Sequence, residues 1–190
     1  MPGDREFIQI VDAALAEAAQ KSGAWLVCRP GCCECCMGAF AITQLDAARL
    51  RAGLNELETS DPARAARVRQ RTRDAASRLE APPSDAEFEA WLEGLPDDDP
   101  CPVLDPETGT CDLSPARPVP CRVFGPPVRW GGEAVGVCEL CFEGASDEEI
   151  AACEVQLDVA EREAELLRQS GSTAQTIVAL AIHPLTEPRA

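Results

Sequence analysis

The sequence predicts a mainly α-helical protein in which helices flank an irregular, cysteine-rich centre with at most short strands. Three observations predict it. Residues 5–21 place Ile8, Val11, Leu15 and Ala18 at the 3-4-3 spacing of an amphipathic helix. From Pro96 to Phe142 repeated prolines and glycines exclude long helices, which leaves turns and short strands. Between them, residues 28–36 read Cys-Arg-Pro-Gly-Cys-Cys-Glu-Cys-Cys, five cysteines in nine positions.

The remaining elements follow in order. Thr43, with Asp46 three residues on, predicts a capped second helix with the stripe Ala47, Leu50, Leu54 and Leu57. Asp61-Pro62 opens a third helix to about Leu79, with Pro62 at its first position and a thin face of Ala65, Val68, Thr72, Ala75 and Leu79. Its six arginines read as a solvated face in preference to a docking patch. Ser84 and Glu87 cap a short fourth helix whose Phe88, Trp91 and Leu92 are core candidates. Ser146, with Glu149, predicts a long helix to about Gln169 along Ile150, Cys153, Leu157, Ala160, Ala164 and Leu167. Residues 173–182 read as a short helix or strand ended by Pro184, and no internal repeat of 20–50 residues is visible.

The 190 residues suffice for one compact domain, with a metal-binding centre over 28–142 and a helical part over 146–190. Eleven cysteines are too few for a disulfide mini-protein. The net charge of −16, with Lys21 the only lysine, argues against nucleic acid and anionic membrane as partners. The N-terminus carries no basic segment followed by an apolar stretch, and no apolar run reaches the length of a membrane span. These readings predict a cytoplasmic protein, where clustered cysteines more often mean metal or redox chemistry than structural disulfides.

Thiols packed as closely as Cys28, Cys32, Cys35 and Cys36 repel one another as thiolates and oxidise unless a soft metal or an iron–sulfur cluster binds them. Cys101, Cys111 and Cys121 each stand beside prolines or a glycine turn that fixes the backbone, and Cys138-x2-Cys141 has the gap that lets two sulfurs reach one centre. In an extended backbone Cys35 and Cys36 point to opposite sides, which predicts either two centres or a cysteine that does not ligate. Cys33 reads as the spare of its pair, and Cys153, on an apolar stripe, as a small core residue. With His183 the only histidine, a mixed Cys/His zinc site and a Cys–His nucleophile are disfavoured. No nucleotide-binding or hydrolase motif appears, and no self-contained catalytic constellation is visible.

The motif Cys-x3-Cys-x2-Cys-Cys, followed by Cys-Pro-x-Leu-Asp, Gly-x-Cys-x-Leu and Arg-Pro-x-x-Cys-Arg-x-Phe-Gly, resembles the YkgJ-type cysteine-cluster proteins, also described as a zinc- or iron-chelating domain. The resemblance spans roughly Cys28 to Cys141. It implies ligand roles for Cys28, Cys32, Cys35, Cys36, Cys101, Cys111 and Cys121, with Cys138 or Cys141 completing the set. A related motif accompanies flagellin lysine methylases, but this chain offers no obvious room for a methylase domain. The expectation is a metal-binding protein in a structural or electron-transfer role, holding an iron–sulfur cluster or zinc. The cluster is preferred because several ligands stand beside prolines and the cysteine count permits a four-thiolate cluster with spares. A thiol–disulfide sensor and an acidic metal-delivery protein are the competing readings.

Overall fold

A computed structural model describes residues 3–80 and 84–184. In chain order its elements are α1 (Asp4–Ser22), β1 (Ile42–Thr43), α2 (Gln44–Ser60), α3 (Pro62–Ser77), α4 (Phe88–Glu93), β2 (Leu104–Asp105), β3 (Thr110–Cys111), α5 (Val119–Val123), β4 (Val128–Trp130), β5 (Glu133–Val135), α6 (Asp147–Cys153), β6 (Val155–Leu157), α7 (Ala160–Ser170), β7 (Gln175–Thr176) and α8 (Val178–Ile182). The architecture is the expected one, mainly helical with strands of two or three residues. The chain builds two compact units: Met1–Pro30 with Val119–Gly171, and Gly31–Pro118 with Ser172–Ala190.

In the first unit α1 packs on α5, α6, α7 and β6. Its buried face is Phe7, Val11, Ala18 and Ser22, spaced four, seven and four residues apart, so that Phe7 and not Ile8 leads the stripe and Leu15 is only half-buried. Phe7 meets Trp130 edge-on at 6.2 Å between ring centres. The sheet order is β5-β4-β6, with β4 antiparallel to β5 and parallel to β6.

That sheet corrects the expectation of one helix from Ser146 to Gln169. The capping box at Ser146 and Glu149 forms as expected, but α6 ends at Cys153 because Glu154 turns extended, with φ −61° and ψ 138°. Val155 and Leu157 are buried while Gln156 is exposed, which is strand periodicity. Pairing with β4, through Val128↔Val155 and Trp130↔Leu157, outweighs the helical spacing of the same residues. The helix resumes as α7.

In the second unit α2, α3 and α8 pack together. Thr43 Oγ1 accepts from Asp46 N–H at 3.2 Å, and Thr43 N–H donates to the Asp46 carboxylate at 3.3 Å, so both halves of the capping box are present. Asp61 caps α3 by accepting from Arg64 N–H at 3.0 Å. The core joins Leu50 and Leu54 of α2, Ala65 and Val68 of α3, and Val178 of α8 to Val103 and Leu113 from the cysteine-rich segment. Phe88, Ile177 and Leu180 form a second cluster, with Trp91 and Leu92 packed against it.

The arginine face of α3 is only partly solvated. Arg69 pairs with Glu58 on the surface, as expected, at 2.6 Å. Arg64 and Arg71 instead turn to the buried carboxylate of Asp112, because a buried charge is stable only when paired and hydrogen-bonded. Among the described residues no helix is long and apolar enough to cross a membrane.

Candidate metal centre

The sulfurs divide between the units. Cys28, Cys121, Cys138, Cys141 and Cys153 belong to the first; Cys32, Cys33, Cys35, Cys36, Cys101 and Cys111 belong to the second. None of the eleven is joined in a disulfide.

In the first unit the Cys28 and Cys141 sulfurs stand 3.9 Å apart, although 113 residues separate them in sequence. Cys141 is positioned by a tight turn: its N–H donates to Cys138 O at 2.8 Å, and the next residue, Phe142, has φ 59°. A bulky side chain in the left-handed region is costly and persists only where the surroundings impose it. Here they do, since Phe142 N–H donates to Trp25 O at 3.1 Å and its ring stacks on Trp25 at 6.1 Å. Gly125 leaves room for the sulfur of Cys28, since a Cβ there would lie 3.3 Å from it. Cys138 N–H donates to Gly125 O at 3.3 Å, and burial pushes the Cys138 thiol up. Cys153 is buried in the same apolar cluster, its thiol donating to Lys21 O at 3.4 Å, in keeping with a core role. Cys121 is half-buried on α5.

In the second unit a 3-10 turn over Glu34–Cys36 replaces the extended backbone assumed for the adjacent pair. The Cys36 thiol therefore hydrogen-bonds Cys35 instead of pointing away from it. That bond, assisted by the Arg117 charge, holds the Cys35 thiol down at about 6. Cys101 N–H donates to Cys36 O at 2.7 Å, which lays the start of the β2–β3 segment along the first cysteine run. Cys111 sits on β3 opposite Leu104. Burial pushes the Cys101 thiol up to about 11 and raises that of Cys111 as well. The hairpin turn is held by Asp105, whose carboxylate accepts from Thr108 Oγ1 at 2.8 Å and from Glu107 N–H at 3.2 Å. Cys32 and Cys33 are half-buried on the loop before the 3-10 turn.

Two features escaped sequence reading. Asp112 ties α3 to this segment through partners more than 40 residues away. A cavity of about 330 Å³ opens beside Cys101, walled mainly by Phe40, Leu79, Leu95 and Ile177, with the Arg78–Asp99 pair at 3.5 Å also in its lining. Among the described residues no group of three or more His, Cys, Asp or Glu side chains stands ready to hold a metal ion. The thiols are instead brought together in pairs, Cys28 with Cys141, Cys138 with Cys141, Cys35 with Cys36, and Cys101 with Cys111.

No curated protein and no solved structure matches the chain. One family model does, over residues 27–139, more than half of the 190 residues and the stretch that holds every cysteine discussed except Cys141 and Cys153. The chain therefore belongs to the CxxCxxCC family, described as "Putative zinc- or iron-chelating domain".

Proposed function

We propose that the chain holds a thiophilic metal through cysteine thiolates, with zinc the best fit at Cys28 and Cys141. The observation that carries this is their 3.9 Å sulfur separation. Two thiolates bound ~2.3 Å from one tetrahedral zinc lie roughly 3.8 Å apart, so these sulfurs could share an ion with little movement. In a four-iron cluster each cysteine takes its own iron, which spreads the sulfurs further, so the separation favours a single ion over a four-iron cluster. Cys138 is the neighbouring third donor, and Cys121, in the same unit, is the candidate to complete a four-thiolate set. Cys35, Cys36, Cys101 and Cys111 form the corresponding candidate set in the second unit, with Cys32 as the alternative donor there. A bound zinc would supply structural cross-linking, the usual role of sites closed by thiolates.

Anaerobic purification with elemental analysis and a visible spectrum tests this. Stoichiometric zinc in colourless protein is the expected result. Brown protein absorbing near ~400 nm would replace zinc with an iron–sulfur cluster. Metal content near zero would end the proposal.

One observation favours a second reading, a thiol–disulfide sensor. The Cys35 thiol at about 6 beside Cys36 has the thiolate character that oxidation selects. Reversible loss of two thiols under mild oxidant, with no metal released, would favour it.

A further inference from the structure

We infer that Asp112, clamped by Arg64 and Arg71, is the positioning residue that holds Cys101 and Cys111 in register for a shared ligand. This inference rests on the metal-binding reading of those two thiols. Asp112 directly follows Cys111, and its side chain is only 2 % exposed. One carboxylate oxygen accepts from Arg64 Nε and the other from Arg71 Nη2. The same Arg71 guanidinium donates through Nε to Pro102 O at 3.0 Å, and Pro102 directly follows Cys101. Asp112 N–H then donates to Val103 O at 2.8 Å. A single guanidinium thus grips the backbone beside one thiol and the carboxylate beside the other, while α3 supplies a rigid base.

The arrangement has the chemistry of a support for ligands. Planar, forked guanidinium bonding fixes direction as well as distance, which a lysine ammonium cannot do. Groups that orient metal ligands typically govern affinity by about 10–100-fold without touching the metal.

The test uses the full chain and cobalt(II) as the probe, with affinity measured by chelator competition and coordination by the thiolate-to-cobalt absorption bands. Asp112→Asn and Arg71→Lys are compared with Phe88→Leu, which loosens the separate cluster around Ile177 and Leu180. Arg71→Lys keeps the charge and serves if Asp112→Asn does not fold. The expected result is a 10- to 100-fold loss of affinity at one of the bound ions with altered bands in both network variants, and neither change in Phe88→Leu. Wild-type affinity and bands in both network variants, or an equal loss in Phe88→Leu, would overturn the inference. Alkylation of the metal-free proteins is the independent readout. Cys101 and Cys111 should react faster in the network variants only. Should wild type show no cobalt–thiolate bands, the metal reading fails, and equal alkylation rates would then remove the positioning role as well.

Discussion

Gly109 lies directly against Gly31: a Cβ at Gly109 would stand 2.8 Å from the Gly31 carbonyl oxygen, and its φ of +64° already disfavours a side chain. This contact of bare backbones seats the β2–β3 turn beside the residue that precedes Cys32. It is the steric condition for seating Cys111 beside the part of the cysteine run that shares its unit, Cys32, Cys33, Cys35 and Cys36.

Gly109→Ala is accordingly expected to destabilise the protein by about 1–3 kcal/mol through combined strain and collision. Thermal melts with and without added zinc check it. The stabilisation by zinc should shrink in the variant, whereas an unchanged melting temperature would show that the hairpin tolerates displacement.

Gly53 reverses an ordinary rule. Glycine inside a helix normally costs about 1 kcal/mol relative to alanine, so Gly→Ala usually stabilises. In α2 a Cβ at position 53 would collide with the side chain of Ala116. Gly53→Ala should therefore lower the urea midpoint, and the double variant Gly53→Ala with Ala116→Gly should recover part of the loss.

The thiols should separate by pH in metal-free protein. Cys35, held at about 6, is mostly thiolate at pH 7, whereas Cys101, pushed up to about 11, remains a thiol. Alkylation at Cys35 should level off above neutrality while that at Cys101 keeps rising to the alkaline limit. The stability signs are opposite. Cys101 is an acid whose folded value is raised, so its contribution is full below its ordinary value near 9 and is lost as pH rises toward 11. Cys35 is depressed, so its contribution is present above 9 and lost as pH falls toward 6. Cys101→Ala should thus flatten the alkaline fall in melting temperature without altering the decline between 9 and 6.

Cys28→Ser should lower bound metal and stability together, because site formation and folding share one free energy. Cys153→Ser should leave the metal in place, since that thiol donates to Lys21 O within an apolar cluster. Equal metal loss in both variants, read by elemental analysis, would mean that Cys153 ligates.

Which features were legible in the sequence follows from their range. The Thr43–Asp46 box, the Asp61 cap and the Ser146–Glu149 box each close within three residues, so spacing alone predicts them. The break at Glu154 was hidden, because the partner that turns Val155–Leu157 into a strand lies at Val128–Trp130. The inward turn of Arg64 and Arg71 was hidden for the same reason. Within the site, turn residues marked Cys101 and Cys111 as anchored positions. The approach of Cys28 to Cys141 depends on Trp25, Gly125 and the strained Phe142, none of which carries a local sequence signal for it.

The passage from one compact unit to the next falls between Pro30 and Gly31, inside the nine-residue cysteine run. A synthetic peptide spanning residues 28–36 would copy every sulfur of that run and miss its neighbours. Cys28 would lack Cys141 and Gly125, and Cys36 would lack the amide of Cys101 that reads its carbonyl. Grafting the run onto another scaffold would transplant the spelling of a junction between two structures, with neither structure attached.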